Sequence, residues 1–206
     1  MPATISPALA PEVKLSTASE FLDWLEPGRH ADLIGGEIFM HSPANLRHAF
    51  LLNFLDRLLA GYIERKQLGR LMREVVAVKF DQRNVFLPDL SYFTPEQVTK
   101  FGPVFITETP ALVVEALSPS SAARDTGMKF TTYEAQGVQE YWVIDPEKQD
   151  HHFFRLSDDI FLEVHAGEEI VRSQAVDGFW LRRSWLNPAN LRGVEECLRE
   201  ILTDPQ

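Results

Sequence analysis

The pattern of hydrophobic positions along the chain predicts one long helix and several short ones. Between residues 51 and 62 apolar side chains recur every three or four positions, so one face of this segment is expected to be buried. Ser42-Pro43 has the composition of a helix cap and first turn, which predicts that the helix begins there and ends near Lys66. Shorter helices are predicted at 17–25, 95–100, 125–136 and 191–203.

Strand-like runs occupy most of the remaining chain. The segment 32–40 predicts a hairpin that turns at Gly35-Gly36, and the apolar run 111–117 predicts a strand buried on both faces. Other strands are predicted at 71–80, 85–93 and 138–145, with antiparallel structure from there to about residue 186. Alternating helices and strands without repeats favour one α/β domain over residues 15–206, preceded by a flexible arm at 1–14.

Composition and charge narrow the classes of function. The 206 residues are 45% hydrophobic and 24% charged, which is typical of a globular protein. The formal net charge of −10 excludes a broadly basic nucleic-acid coat, so any phosphate-binding surface must be local. Cys197 is the only cysteine and excludes an intrachain disulfide. Without a signal-peptide pattern or a long apolar run, we expect a cytoplasmic protein that does not enter membranes.

An acidic residue inside an apolar strand is the strongest chemical signal. Glu115 stands in the run 111–117, and burying a carboxylate without a partner costs several kcal/mol. A carboxylate that caps the following loop is the structural alternative. Asp89 lies in a preceding strand-like run, so the two acids can reach one divalent cation if the strands are neighbours. Lys129 follows on the next helix. Two carboxylates and a lysine are the groups that metal-assisted phosphodiester hydrolysis needs.

An ordered set of short motifs resembles a known family. The set comprises Gly36-Glu37, His48, Pro88-Asp89, Val114 to Ser120, Asp125 with Lys129, and Tyr133 through Gly137-Val138 to Glu140-Tyr141-Trp142. In this order the motifs resemble the Uma-two family of restriction endonucleases, within the PD-(D/E)XK nuclease superfamily. The resemblance covers about residues 20–185.

The resemblance implies a restriction-endonuclease-like fold, with a central mixed β-sheet flanked by helices and additional antiparallel strands. It implies that Asp89, Glu115 and the backbone carbonyl of Ala116 hold Mg²⁺ or Mn²⁺. The superfamily places a lysine two residues after the second acid, but Leu117 stands at that position. Lys129 would then be a lysine that has migrated to the following helix.

Four further residues are secondary candidates for the same cleft. Glu37 has an exposed hairpin position as its alternative, and His48 a hydrogen-bonded place on a helix. Asp125 and Lys129 lie one helical turn apart, so a surface ion pair is a real alternative to a catalytic role. Tyr133 continues the same stripe and either lines the cleft or packs its ring on the sheet.

Two classes of function remain open. The first is a metal-dependent endonuclease that hydrolyses DNA phosphodiester bonds, expected by resemblance to act as a homodimer because two nicks need two sites. The second is a weak or inactive nuclease-fold protein that acts by binding or assembly. An inactive relative would be free to lose one of Asp89, Glu115 and Lys129, and all three are present. The sequence therefore favours the enzyme.

Overall fold

The part of the chain that the structure describes, residues 17–43 and 45–203 of a computed structural model, alternates helices with strands. The helices are α1 (Ala18–Trp24), α2 (Leu46–Lys66), α3 (Pro95–Val98), α4 (Ala122–Arg124), α5 (Phe130–Ala135) and α6 (Val194–Thr203). The strands are β1 (Ala31–Ile34), β2 (Glu37–Met40), β3 (Arg70–Arg73), β4 (Val78–Lys79), β5 (Val85–Phe86), β6 (Leu90–Phe93), β7 (Leu112–Ala116), β8 (Glu140–Ile144), β9 (His152–Ser157), β10 (Ile160–Val164), β11 (Ile170–Arg172) and β12 (Trp180–Arg182). The arm predicted at 1–14 lies outside the described residues.

A six-stranded mixed sheet forms the centre of the fold. Its strand order is β10-β9-β8-β7-β6-β3, in which β7 and β8 run parallel and the other neighbours run antiparallel. Two smaller antiparallel sheets accompany it, with the orders β2-β1-β5-β4 and β11-β12. The predicted fold class, a central mixed sheet flanked by helices with additional antiparallel strands, is confirmed.

The two faces of the central sheet pack against different helices. Leu112 and Val114 of β7 point to the core that contains the buried faces of α2 and α6. Val113 points to the opposite core, which contains Tyr133 of α5. Because side chains alternate along a strand, Glu115 shares the face of Val113 and points toward α5. This alternation decides which helix can supply partners to the buried carboxylate.

The long helix begins three residues later than its sequence predicts. Asn45, not Ser42, is the N-cap of α2, and its side-chain oxygen accepts a hydrogen bond from the backbone N–H of His48 at 2.9 Å. Asn and Ser are about equally good caps, so composition alone does not separate them. The predicted end at Lys66 is confirmed, where Gln67 adopts the left-handed conformation.

The prediction of continuous strands at 71–80 and 85–93 is wrong. Each is divided in two, because a turn separates β3 from β4 and an irregular segment at 87–89 separates β5 from β6. As a result, β3 and β6 belong to the central sheet, whereas β4 and β5 belong to the four-stranded sheet. Across the described residues, no helix is both long and apolar enough to cross a bilayer.

Candidate active site

The register of β6 and β7 brings the two predicted acids together. Leu90 pairs with Val114, and extending this antiparallel register by one residue sets Asp89 opposite Glu115. Two contacts join the strands here: the backbone N–H of Ala116 donates to Asp89 Oδ2 at 2.7 Å, and that of Asp89 makes a longer contact with Glu115 Oε2 at 3.4 Å. Directly opposed residues share one face of a sheet, so both carboxylates point the same way.

Lys129 lies at the centre of the acidic cluster. Its Nζ is 2.9 Å from Glu115 Oε1, 3.0 Å from Asp32 Oδ2 and 3.5 Å from Asp125 Oδ1. Only 3% of this lysine is exposed. The alternative of a surface pair with Asp125 is thereby excluded.

A π-helical segment, Asp125–Lys129, sets the positions of these groups between α4 and α5. Such single-turn π segments are rare and widen the helix locally. The hydroxyl of Tyr141 donates to the backbone carbonyl of Asp125 at 3.0 Å, which gives this widened turn a buried partner. Asp125 and Lys129 are both buried on it.

Tyr133 packs its ring in the core and reaches the acidic cluster with its hydroxyl, but it does not line the cavity. Its ring packs edge-on against Phe80 and Phe86 in the core behind the sheet. Its hydroxyl donates to Glu115 Oε1 at 2.7 Å, beside the ammonium of Lys129. Burial, followed by the charge of Glu115, raises the pKa of Tyr133 well above its usual value, so the hydroxyl remains a donor.

His48 joins α2 to the end of β7. Its Nε2 is 2.9 Å from the backbone oxygen of Ala116 and 3.6 Å from Asp89 Oδ2. Burial opposes its charge, but Asp89 and the Ala116 carbonyl together raise the pKa of this histidine above its usual value. The histidine thus contacts two of the three groups that the resemblance names as metal ligands.

Asp32 is a site residue that the sequence analysis did not identify. It lies in β1, is 2% exposed, and contacts both Lys129 and His41 Nε2, the latter at 3.1 Å. Its Oδ1 accepts a hydrogen bond from the backbone N–H of Leu87 at 2.7 Å. The signal was the one that marked Glu115, a single carboxylate in an otherwise apolar strand.

Glu37, predicted for this cleft, is exposed and does not line the cavity. Its register partner in the β1–β2 hairpin is Ile34, next to the turn, whereas Asp32 pairs with Phe39 farther from the turn. The acidic position of the hairpin that reaches the site is therefore Asp32, not Glu37.

The clustered side chains open into one cavity of about 310 Å³. The lining residues are His30, Asp32, His41, Ser42, Pro43, His48, Glu74, Leu87, Asp89, Glu115, Ala116, Ser118, Ser120, Ser121, Arg124, Asp125 and Lys129. Of the predicted residues, the cavity thus combines Asp89, Glu115, Ala116, Lys129, His48 and Asp125. Tyr133 reaches the cluster from behind, through its hydroxyl.

Five carboxylates and one lysine line this cavity, and four of the acids, Asp32, Asp89, Glu115 and Asp125, form the acidic cluster. Burial, only partly offset by Lys129, raises the pKa of Glu115 to about 8, and the charges of the other three acids add to the rise. For Asp32, burial acts in the same direction, but Lys129 and His41 prevail and lower its pKa to about 2. At Lys129, burial lowers the pKa, but the charges of Asp32, Glu115 and Asp125 outweigh burial and raise the pKa well above its usual value. The cluster therefore has more negative charge than its own cation neutralises.

The donor set fits a hard divalent cation. Lys129 and Tyr133 occupy Oε1 of Glu115, whereas Oε2 faces Asp89 and has only the long contact to its N–H. Carboxylate and carbonyl oxygens are the protein ligands that Mg²⁺ and Mn²⁺ prefer. A bound cation would also neutralise the excess negative charge that raises the pKa of Glu115.

Comparisons with known proteins found similar chains. An uncharacterised protein from Synechocystis sp. (slr1290) is 29% identical over 154 residues, which span 73% of this chain and 78% of the relative. A crystal structure from Anabaena variabilis, described as "a putative nuclease belonging to DUF820", superposes with a TM-score of 0.70 at 19% identity. That match covers 82% of this chain and 96% of the other, and it shows a common fold.

The family assignment rests on a match to a family model. The model of the Uma2 family, described as "Putative restriction endonuclease", matches residues 18–184, which is most of the chain. The matched range contains every residue of the acidic cluster, and the predicted resemblance is confirmed. The chain belongs to the Uma2 family of restriction-endonuclease-like proteins.

Proposed function

We propose that this protein is a Mg²⁺- or Mn²⁺-dependent endonuclease that hydrolyses DNA phosphodiester bonds in the cavity described above. One observation carries the proposal: Lys129, from the segment after β7, contacts Glu115 at 2.9 Å, although Leu117 occupies the usual lysine position. Leu117 packs partly buried in the core behind the sheet. The two acids and the lysine that this proposal requires thus come from separate parts of the sequence.

The proposal gives each residue of the cluster a role. Asp89, Glu115 and the Ala116 carbonyl would hold the divalent cation, which supplies Lewis-acid polarisation of the phosphate and a water of lowered pKa. Lys129 keeps its proton because its pKa is raised, so it serves as a fixed positive charge for the developing phosphorane and not as a base. Tyr133 holds Oε1 of Glu115 and so directs Oε2 toward Asp89.

Two residues would position the others. Asp32 accepts from Leu87 N–H and pairs with Lys129, which anchors the ammonium between β1 and β7. His48 links α2 to the Ala116 carbonyl and so fixes the end of β7.

The cavity itself contributes Arg124 as a further cation for the DNA backbone. Action as a homodimer belongs to the same proposal, because cutting both strands requires two such sites.

Cleavage of supercoiled plasmid DNA tests the proposal. The purified chain should nick or linearise the plasmid with Mg²⁺ or Mn²⁺ and leave it intact with chelator. Asp89→Asn should abolish cleavage, whereas Asp23→Asn, an exposed acid on α1 outside the cavity, should cleave like the wild type. Cleavage that survives chelator or Asp89→Asn would contradict the assignment. Metal binding without cleavage of any DNA would favour the alternative, a nuclease-fold protein that acts by binding.

A further inference from the structure

A second group of potential metal ligands lies in the same cavity, apart from the oxygen ligands described above. His30, His41 and Glu74 each offer one ligand atom, and these atoms all lie within 4.8 Å of one another. All three line the cavity. Among the described residues, no other group of three His, Cys, Asp or Glu side chains meets this spacing. We infer that His30, His41 and Glu74 form a second divalent cation site, selective for a metal that accepts imidazole nitrogen, such as Zn²⁺.

The β1–β2 hairpin places the two imidazoles side by side. The pairing of Ala31 with Met40 continues outward to His30 and His41, where the backbone N–H of His41 donates to the His30 carbonyl at 2.9 Å. Opposed residues of an antiparallel pair share a face, and residue i+2 shares it too. His30, His41 and Asp32 therefore point from one face of the hairpin into the cavity.

Glu74 completes the set from the turn after β3. Its Oε1 lies 3.3 Å from His30 Nδ1. With metal–ligand bonds of about 2.0–2.2 Å, two ligand atoms of a tetrahedral zinc are separated by about 3.4 Å, so this pair already has the required spacing. Apart from this contact with Glu74, the buried His30 Nδ1 has no hydrogen-bond partner among the described residues, so the nitrogen and the carboxylate can both turn to a metal between them.

Asp32 holds the imidazole of His41 in place, as second-sphere carboxylates do in metal sites. Its carboxylate is 3.1 Å from His41 Nε2, and carboxylates in this position orient the imidazoles of metal sites. The same Oδ2 contacts Lys129. One side chain therefore connects the histidine group, which consists of His30, His41 and Glu74, to the acidic cluster. Two imidazoles and one carboxylate leave at least one coordination position, open to the cavity, for water or a phosphate oxygen.

The chemistry of the two donor sets separates their metals. Mg²⁺ prefers oxygen ligands alone, whereas imidazole suits Zn²⁺ and related ions. The inference goes beyond the proposed nuclease function and does not depend on it, because it concerns binding of Zn²⁺ and not cleavage. In excess Mg²⁺, micromolar Zn²⁺ should therefore occupy the histidine group of the folded chain.

Equilibrium dialysis of the untagged full chain against Zn²⁺ in excess Mg²⁺, with metal analysis, tests the inference. The wild type should bind about one Zn²⁺ per chain. His30→Gln and Glu74→Gln should each raise the dissociation constant at least about tenfold, since each removes a ligand. Their side chains are 38% and 39% exposed, so these replacements should leave the fold intact, which circular dichroism would verify.

Two control variants separate this site from others. His152→Gln removes a histidine that pairs with Glu163 outside the cavity, and Asp89→Asn alters the oxygen donor set; both should bind Zn²⁺ like the wild type. Absence of zinc from the wild type, unchanged affinity in His30→Gln and Glu74→Gln, or loss of zinc in Asp89→Asn alone would overturn the inference. None of these outcomes depends on whether DNA is cleaved.

Discussion

The free energy of the site is dominated by the buried charges around Lys129. Three carboxylates lie within 3.5 Å of one ammonium, and all four side chains are at most 4% exposed. Removing one partner of a buried ion pair is strongly destabilising, because the remaining charge stays buried. Individual substitutions here should therefore change folding stability as well as function, in directions that depend on the sign of the charge removed.

Glu115→Gln should stabilise the metal-free protein at alkaline pH. The pKa of Glu115 rises from 4.5 to about 8 on folding, so between these values the unfolded chain loses a proton that the folded chain keeps. The stability from this group is complete below pH 4.5 and falls as pH rises toward 8, by about 1.4 kcal/mol per pH unit. Urea unfolding in chelator at pH 5 and pH 8 should show this loss in the wild type and a smaller one in the variant.

The same variant should lose its response to metal. Mg²⁺ or Mn²⁺ should raise the midpoint of unfolding of the wild type at pH 8, since a ligand that binds only the folded state stabilises it. Glu115→Gln should show little of this rise and no cleavage. Equal pH dependence in the two proteins, or an equal metal response, would contradict the electrostatic account of Glu115.

Lys129→Met should lose both activity and stability. By comparison with removal of a preorganised oxyanion donor, cleavage should slow by about a hundredfold to a thousandfold. The free energy of unfolding should fall by a few kcal/mol, because three buried carboxylates lose their cation. Single-turnover cleavage and urea unfolding measure the two effects. Lys100→Met, which removes a half-exposed ammonium beside Glu96, is the control and should leave the free energy of unfolding nearly unchanged.

At the level of elements, the start of α2 connects helix stability to the site. Asn45 caps the N–H of His48, and His48 Nε2 contacts the Ala116 carbonyl. Asn45→Ala should lower the free energy of unfolding by about 1 kcal/mol, as measured by urea denaturation. Ser42→Ala, at the cap that the sequence predicted, should have no comparable effect. The opposite ranking would restore the predicted helix start at Ser42-Pro43.

Local sequence patterns predicted the elements well and the site in part. The short helix near 17–25 and the hairpin at Gly35-Gly36 are confirmed, because each depends on a few neighbouring residues. The acid pair Asp89 and Glu115 was found because a charge in an apolar strand is visible in sequence.

What the sequence did not reveal depends on long-range contacts. Asp32, like Glu115, is a single carboxylate in an apolar strand. Its pairing with Lys129, however, joins the four-stranded sheet to the segment after β7. The burial of Lys129 likewise follows from the packing of that segment against Asp32 and Glu115, and a lysine one turn from an aspartate also fits an exposed helix. Choosing between Glu37 and Asp32 required the hairpin register.

On the scale of the whole molecule, net charge should govern DNA binding. At −10 the chain repels DNA at long range, so affinity must come from local cations such as Arg124 and from bound metal. Affinity for labelled DNA, measured with cleavage-deficient Asp89→Asn and wild type, should fall at least about tenfold between 50 and 200 mM salt. In the wild type, chelator should weaken it further. Tight binding that ignores both salt and chelator would contradict this view.

The central claim is that Asp89, Glu115 and the Ala116 carbonyl share one divalent cation next to Lys129. Anomalous diffraction from crystals soaked in Mn²⁺ locates the ion directly. We predict a peak about 2.0–2.4 Å from oxygens of Asp89, Glu115 and Ala116, with the Lys129 ammonium still paired to Glu115. Such a peak would be absent from crystals of Glu115→Gln. A wild-type map with no peak between these oxygens, under conditions where the protein cleaves DNA with Mn²⁺, would contradict the account.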